Sequence, residues 1–313
     1  MNRRRHEIDA LAAGLMILFC AVWGLNQVST KVANAGISPI FQAGLRSLGA
    51  CVLLWAWSYW RGVRLFDRDG SFWPGLLAGL LFALEFAIIF VALNHTTASR
   101  AVVFLYCAPF VVAIGTHWLV PAERLRWAQI AGMILAFGGI VVAFGEGFTG
   151  ATGNTLLGDA MMLAGGVIWG ATTVVVRVAL SGVSANKVLF YQLAVSAVGL
   201  IALSLVLGEP GFTHPTALVW AAFAWQVVIV AFGTYLGWFW LIARYPAAKL
   251  SAFSFLAPLF GLIFGAVLLG ERVTTLLILA MALVAIGIWL VSRKSSADSP
   301  RLSVPPSELI TED

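Results

Sequence analysis

Long apolar runs, separated by short polar connections, set the pattern of this chain. Within a lipid bilayer each spanning segment must pair its own backbone N–H and C=O groups, so a span is expected to be a helix of about 20 residues. The runs are too long for the alternating strands of a membrane barrel. We predict ten transmembrane helices, at residues 10–33, 39–60, 73–93, 98–119, 127–145, 157–180, 186–208, 217–241, 247–269 and 274–292.

The composition indicates an all-α polytopic membrane protein. Of the 313 residues, 61% are hydrophobic and 11% are charged, whereas soluble domains carry about 25% charged residues. The three cysteines lie singly within apolar runs, and we interpret them as buried hydrophobic side chains. We predict no metal and no cofactor. The net charge of +5 does not indicate a nucleic-acid partner, because the cations follow the membrane topology.

The positions of the cations predict the orientation. Fifteen of the 19 lysines and arginines fall on one side of the ten predicted spans, and Lys31, Arg100 and Arg272 fall on the other, with Arg46 inside a span. Positive charge is retained in the cytoplasm. We therefore predict that both termini are cytoplasmic, in the inner membrane of a bacterium.

The chain contains an internal repeat. Residues 23–39, WGLNQVSTKVANAGISP, align without a gap to residues 169–185, WGATTVVVRVALSGVSA, and Lys31 aligns with Arg177. Residues 98–109 similarly parallel residues 247–258. Each unit contains five spans, an odd number, so the second unit enters from the opposite side and the two form an inverted repeat.

These features divide the chain into five regions. We predict a cytoplasmic N-terminus at 1–9, the first repeat at 10–145, a periplasmic linker at 146–156, the second repeat at 157–292 and a disordered cytoplasmic tail at 293–313. Inverted repeats are typical of carriers with a site near the bilayer midplane. We therefore predict transport by alternating access. The oligomeric state is not predicted, and a monomer is compatible with the sequence.

Several motifs together resemble a known family. They are Trp-Gly in the first and sixth helices, an Ala-Leu…Ala-Ser…Pro pattern entering the fourth helix, and a run from a proline to Gly-Glu-Arg near the end of the second repeat (Trp23-Gly24, Trp169-Gly170, Ala92 to Pro109, Pro258 to Arg272). The chain resembles the drug/metabolite transporter superfamily over residues 10 to 292. Within it, the chain is similar to the ten-helix EamA-type exporters, most of all to bacterial exporters of aromatic amino acids.

The resemblance implies a secondary transporter that exports amino acids, aromatic ones favoured, with a small molecule and the bilayer as its partners. The alternatives are export or import of other metabolites or drugs. A P-loop is absent from the sequence, so this chain does not carry ATP hydrolysis. An enzyme is disfavoured because the four histidines are isolated, and a channel because no selectivity-filter motif is present.

Two tryptophans are candidates for the substrate pathway. We interpret nine others, Trp238 among them, as interfacial anchors because they lie near span ends. Trp23 and Trp169 instead lie near mid-span, where an indole offers a broad face and an N–H that needs a partner. The alternative is close helix packing beside Gly24 and Gly170. The predicted binding set also includes Asn26, Gln27, Tyr106, Gln192 and Tyr235.

Two charged residues lie inside predicted spans. Arg46 is roughly 10 Å, and Glu85 roughly 13 Å, from the periplasmic end at 1.5 Å per residue. Three alternatives follow: a structural ion pair, a contact of Arg46 with a substrate carboxylate, or a coupled proton carried by Glu85. The repeat aligns these residues with the neutral Gln192 and Thr234.

Two prolines fall mid-span at matching positions of the two repeats. Pro109 and Pro258 each remove a backbone donor and are expected to kink a helix. We predict that both serve as gating positions. The cations Lys31 and Arg177 lie at the C-terminal ends of helices, where we expect them to reach lipid headgroups.

Overall fold

The computed structural model describes residues 9–120, 127–150, 153–244 and 256–292, and most of them are helical. The helices are α1 (Ala10–Asn34), α2 (Pro39–Trp60), α3 (Phe72–Ala92), α4 (Ala98–Leu105), α5 (Ala108–Leu119), α6 (Trp127–Gly150), α7 (Gly153–Ala179), α8 (Ala185–Val206), α9 (Ala217–Ala224), a π-helical segment (Trp225–Thr234), α10 (Tyr235–Arg244), α11 (Leu256–Leu269) and α12 (Thr275–Ser292). The predicted all-α class is confirmed.

Ten apolar helical segments match the ten predicted spans. By length and composition, seven are able to cross a membrane, and three shorter ones occupy 130–143, 256–269 and 275–287. The fourth span consists of α4 and α5 together, and the eighth of α9, the π segment and α10. The start of the ninth span, the N-terminal region 1–8 and the tail 293–313 lie outside the described residues.

Polar side chains define several helix starts. Asp9 accepts a hydrogen bond from the Ala12 N–H at 2.9 Å, and Thr97, Ser184 and Thr216 cap α4, α8 and α9 in the same way. Pro39 occupies the first turn of α2, where a missing N–H costs nothing. The predicted span starts therefore coincide with capping residues, which satisfy otherwise unpaired N–H groups.

The predicted linker at 146–156 is largely helical in the described residues. Helix α6 continues to Gly150 and α7 begins at Gly153, so helix occupies most of the range 146–156. The range contains no proline, so nothing removes a backbone donor from the helical ladder. Glycine and polar residues in a connection predict a turn only weakly where the helix can continue.

Pairs of helices show the inverted repeat in three dimensions. Helix α2 packs on α8, and α6 packs on α12, so the second and fifth spans of each repeat meet their own counterparts. Helix α1 packs on α11, and correspondingly α7 packs on α4 and α5. Helix α1 also contacts the eighth span, just as α7 contacts α3. Exchanging the two repeats therefore reproduces these helix pairs.

The exterior is apolar, as a bilayer requires. Large side chains such as Ile134, Val198 and Val206 are exposed, and their exposed surface would be unfavourable in water. Trp60, Trp73, Trp118 and Trp127 are also exposed and lie at helix ends. The chain is a multi-pass membrane protein.

The glycine of each Trp-Gly repeat lies at a close helix contact. A Cβ on Gly24 would lie 2.6 Å from the backbone N of Gly261 and 2.9 Å from the carbonyl oxygen of Ala257. A Cβ on Gly170 would lie 2.8 Å from the carbonyl oxygen of Ala108. Ala108 and Ala257 are themselves equivalent in the repeat. The same backbone approach therefore occurs twice, once in each half.

Because the neighbour of Gly24 is backbone, a methyl group there has no flexible side chain to displace. Replacing Gly24 by Ala is expected to lower the free energy of unfolding by about 1–3 kcal/mol, the usual cost of overpacking. Gly14 in the same helix has nothing within 4 Å of its would-be Cβ. Gly14→Ala is expected to raise stability by about 0.5–1 kcal/mol through helix propensity. Thermal unfolding in detergent checks both variants, and equal midpoints would contradict the close approach.

Candidate substrate cavity

A cavity of about 400 Å³ lies between the two repeats. Nine of the described helical segments, from both repeats, contribute side chains, and seven of the lining residues are aromatic. The lining residues are Trp23, Asn26, Gln27, Arg46, Phe82, Glu85, Phe86, Val102, Leu105, Tyr106, Pro109, Trp169, Thr173, Val230, Tyr235, Trp238 and Ala257. Ligand pockets in proteins typically measure about 300–1,000 Å³, so the cavity accommodates a small metabolite.

The structure brings most of the predicted binding residues into this one cavity. They are Trp23, Asn26, Gln27, Arg46, Glu85, Tyr106, Trp169 and Tyr235, and the predicted gating residue Pro109 joins them. Residues from spans one, two, three, four, six and eight therefore converge. Their contact with a substrate stays a prediction.

Gln192 does not line the cavity, which corrects its place in the predicted set. The preceding residue, Tyr191, packs against the start of α3. A Cβ on Gly75 would meet the Tyr191 ring at 2.4 Å, and the Tyr191 hydroxyl lies 3.2 Å from the Ser71 hydroxyl. Successive residues of a helix point about 100° apart, so Gln192 faces a different direction from this contact. Sequence alignment with Arg46 did not carry over to the cavity.

Trp23 is held by a hydrogen bond and by neighbouring rings. Its indole N–H donates to the hydroxyl oxygen of Thr234 at 2.9 Å. Its ring meets Trp238 edge-on, with centroids 6.0 Å apart, and Phe19 at 6.1 Å. The indole is therefore fixed by the second repeat while it lines the cavity. The close packing beside Gly24 and the lining of the cavity are both present.

Trp169 occupies the equivalent position with a different partner. Its ring meets Tyr106 edge-on at 5.7 Å between centroids and an interplanar angle of 88°. Edge-to-face geometry is the favourable arrangement of two aromatic quadrupoles. The two indoles of the repeat therefore line one cavity in different local surroundings.

Trp238 was wrongly predicted to be an interfacial anchor. It lines the cavity and packs on Trp23. Helix α10 continues to Arg244, so Trp238 lies away from the end of the eighth span. Phe82, Phe86, Val102, Leu105, Val230 and Ala257 were also not predicted, because an apolar side chain in a membrane helix carries no signal that separates cavity from packing.

Two irregular backbone segments border the cavity. Helix α4 ends at Leu105, and α5 restarts at Ala108, with Pro109 in its first turn. A proline cannot donate to the carbonyl four residues earlier, here that of Leu105, so the interruption agrees with the predicted kink. The second irregularity is the π-helical segment, which contributes Val230. Such wide turns often occur at functional sites.

Pro258 does not line the cavity, although its neighbour Ala257 does. It lies in the first turn of α11 as the structure describes that helix. The residues before Leu256 lie outside the described part of the chain, so the predicted kink there is not tested. The gating roles of Pro109 and Pro258 stay predictions.

Arg46 and Glu85 are buried in the cavity wall, and they form no ion pair with each other or with another described residue. The Arg46 atoms Nε and Nη2 and the Glu85 atom Oε2 have no hydrogen-bond partner in the described structure. The Arg46 guanidinium instead lies over Phe86, with 3.9 Å from Cζ to the ring centroid. The structural ion pair, the first of the three alternatives, is therefore not observed.

A polar network joins the two repeats at the end of α1. Lys31 donates to the carbonyl oxygen of Thr96 at 2.9 Å and lies 3.3 Å from the Glu271 carboxylate. Glu271 also accepts the N–H groups of Ala98 and Ser99, each at 2.8 Å, and so caps α4. The expectation that Lys31 reaches lipid headgroups was wrong, because a carboxylate of the other repeat holds it.

A second inter-repeat pair lies beside this network. The Arg100 Nε donates to Asp159 at 3.0 Å, and its Nη2 donates to the same carboxylate and to the carbonyl oxygen of Ala143 at 2.7 Å. Asp159 also accepts the Thr96 hydroxyl at 2.6 Å. All of these charges are buried and paired, unlike Arg46 and Glu85.

At the opposite end of the bundle, Lys187 joins α8 to the loop before α3. Its ammonium lies 2.8 Å from the Asp69 carboxylate and donates to the carbonyl oxygen of Asp67. This contact, with that of the Ser71 hydroxyl, holds the pKa of Asp69 below its usual range. The two repeats are thus tied by charged contacts at both ends.

In the described segments, no three His, Cys, Asp or Glu side chains are grouped to hold a metal ion.

A comparison with protein families gives a clear assignment. The model of the EamA-like transporter family matches twice, over residues 10–145 and 156–293. This chain belongs to the EamA-like transporter family.

Curated relatives extend over nearly the whole chain. An uncharacterized transporter of Archaeoglobus fulgidus is 26% identical over 94% of this chain and 99% of that protein. The transporter YvbV of Bacillus subtilis is 27% identical over 93% and 95%. A probable amino-acid metabolite efflux pump of Escherichia coli is 27% identical over 88% of this EamA chain and 93% of that protein. The EamA family and these relatives are transporters, not enzymes.

A solved crystal structure shares the fold. It aligns with a TM-score of 0.64 and 22% identity, and the match covers 90% of this chain and 97% of the other. At this identity the likeness shows a shared fold alone. It carries no information on the substrate.

The bond between Trp23 and Thr234 is expected to stabilise the packing of the two repeats. Trp23→Phe and Thr234→Val each remove it, and a double-mutant cycle should give a coupling of about 1 kcal/mol in the free energy of unfolding. Trp169→Phe combined with Thr234→Val is the matched control. The Trp169 indole N–H donates no hydrogen bond to a described residue, so its coupling with Thr234 should be near zero. Equal coupling in the two cycles would contradict the assignment.

The Arg100–Asp159 pair is expected to contribute more to stability than an exposed pair. Asp159→Asn leaves a buried guanidinium without its carboxylate and should lower the free energy of unfolding by about 3–5 kcal/mol. Asp67→Asn at the exposed Arg64–Asp67 pair is the control, with an expected change below about 1 kcal/mol. Thermal unfolding in detergent measures both, and a similar loss in the two variants would contradict the larger contribution of the buried pair.

Proposed function

We propose that this EamA-family protein is a secondary transporter that exports amino acids, aromatic ones favoured, or similar small metabolites. The observation that supports it is the cavity between the repeats. Trp23, Trp169, Trp238 and Tyr106 give this cavity aromatic faces, while Arg46 and Glu85 give it one charge of each sign. An α-amino acid presents the matching features, namely one carboxylate, one ammonium and a side chain.

The fold supplies a means of moving the substrate. Because the two repeats have opposite orientation, exchanging their conformations would give a second arrangement in which the cavity faces the other side of the membrane. The interrupted fourth span and the π-helical segment lie beside the cavity, where a change between arrangements requires backbone movement. Transport by alternating access, as a uniport or coupled to an ion, is the proposed mechanism.

The name of the E. coli relative supports the direction and the class of substrate. It is a probable amino-acid metabolite efflux pump that is 27% identical to this chain. The placement of cations supports a bacterial inner membrane with both termini in the cytoplasm. Other metabolites or drugs are the alternative substrates.

Counterflow in proteoliposomes tests the proposal. Purified protein is reconstituted with an excess of one unlabelled compound inside, and uptake of the labelled compound is followed for a panel of aromatic and aliphatic amino acids, amines and organic acids. We expect saturable counterflow of amino acids, fastest for phenylalanine, tyrosine or tryptophan.

Empty liposomes and liposomes with heat-denatured protein provide the controls. If no amino acid supports counterflow while another class does, the transporter assignment stands and the amino-acid proposal fails. If all amino acids exchange at similar rates, the proposal of an amino-acid transporter stands and the preference for aromatic side chains fails.

A further inference from the structure

Two buried charged side chains without hydrogen-bond or ion-pair partners lie in the wall of the same cavity. Arg46 and Glu85 are 1% and 4% exposed, and neither side chain forms a hydrogen bond in the described structure. Removing a charged group from water without a compensating contact costs several kcal/mol in a membrane interior. The paired charges Arg100 and Asp159 in the same bundle show that the fold is able to satisfy buried charges. The exceptions therefore require a separate explanation.

The fold itself does not require charges at these two positions. The inverted repeat aligns Arg46 with Gln192 and Glu85 with Thr234, which are both neutral. Thr234 is satisfied within the protein, since it accepts from Trp23 and donates to the carbonyl oxygen of Val230 at 2.7 Å. The second repeat builds the same architecture without ionisable groups there. A purely structural role is thus not the reason for the charges.

The unpartnered atoms of Arg46 share one edge of the guanidinium. The Nε–H and the nearer N–H of Nη2 point in the same direction, and this edge binds a carboxylate through two parallel hydrogen bonds. The face of the same guanidinium is covered by Phe86 at 3.9 Å, with Phe90 at 5.3 Å. Stacking fixes the plane of the group and leaves its edge for a planar anion.

Unpartnered acceptors occur in the same cavity wall. They are Oε2 of Glu85, Oδ1 of Asn26 and Oε1 of Gln27, each buried and without a donor in the described structure. A primary ammonium has three N–H donors and no acceptor. The cavity therefore contains a cationic group with two free donors and a set of free acceptors that includes one carboxylate. Neither the donors nor the acceptors have a partner in the described structure.

We propose that Arg46 and Glu85 determine specificity by binding the two charges of one zwitterionic substrate, Arg46 its carboxylate and Glu85 its ammonium. This inference rests on the proposed function and deepens it. A ligand with one of the two charges satisfies one side chain and leaves the other buried and unpaired. Sites built to pair a polar group reject analogues that lack it, because the site's own group then remains unsatisfied.

The test compares three compounds that share one ring. They are phenylalanine, phenylalaninamide, which lacks the carboxylate charge, and 3-phenylpropionate, which lacks the ammonium. In counterflow with the wild-type protein we expect phenylalanine to be favoured at least about tenfold over each analogue, equivalent to about 1.4 kcal/mol. This comparison needs no variant. Equal counterflow of the three compounds would overturn the inference.

Neutral variants should change the ranking in opposite directions. With Arg46→Gln, Glu85 still binds a cation, so the preference for phenylalanine over phenylalaninamide should fall about tenfold or more. With Glu85→Gln, the preference over 3-phenylpropionate should fall by a similar factor. A merely structural pair would lower counterflow of all three compounds together and leave the ratios unchanged, which would also overturn the inference.

Arg64→Gln is the control, because it removes an exposed arginine that does not line the cavity and should leave all ratios unchanged. Size-exclusion chromatography in detergent confirms folding of each variant, and Arg46→Lys and Glu85→Asp, which retain the charges, replace a variant that does not fold. The charge-retaining variants should keep part of the preference for phenylalanine over its two analogues.

If the wild type exchanges no amino acid, the proposed function fails and this inference with it. If it exchanges phenylalanine and both analogues equally, only this inference fails.

Discussion

The constraint on which the whole structure depends is that hydrocarbon supplies no hydrogen bonds. Each polar group inside the bilayer must find a partner within the protein or in a cavity, and continuous helices satisfy the backbone most simply. The described chain departs from regular α-helix in two spans, at residues 106–107 and at Trp225–Thr234. Both departures contribute a side chain to the cavity, Tyr106 in the first and Val230 in the second.

The same constraint separates the charges into two groups. Arg100 with Asp159, and Lys31 with Glu271, join the repeats through buried or half-buried contacts and satisfy one another. Arg46 and Glu85 have no such partners. The first group holds the two halves together at one end of the bundle. The second group makes the cavity chemically distinct from the surrounding helix contacts, and it is the basis for proposing a charged, small substrate in this EamA-family transporter.

Symmetry and divergence of the repeat have separate roles. The glycines of the two Trp-Gly pairs repeat one backbone approach, against Ala257 in one half and Ala108 in the other, and so maintain the architecture. The tryptophans beside them do not repeat their surroundings. Trp23 donates to Thr234, whereas Trp169 packs on Tyr106. A symmetric scaffold therefore encloses an asymmetric cavity, as a substrate with chemically different ends requires.

The sequence by itself determined the ten spans, the repeat and most of the cavity residues. Apolar run length is set by bilayer thickness, and a rare charge or mid-span tryptophan stands out against an apolar background, so Arg46, Glu85, Trp23 and Trp169 were identifiable. Only the tertiary structure decided that Gln192 lies outside the cavity, that Trp238 lies inside it, and that Lys31 pairs with Glu271. Helix rotation and contacts between distant segments decide those points, and neither leaves a signal in the local pattern of apolar and polar residues.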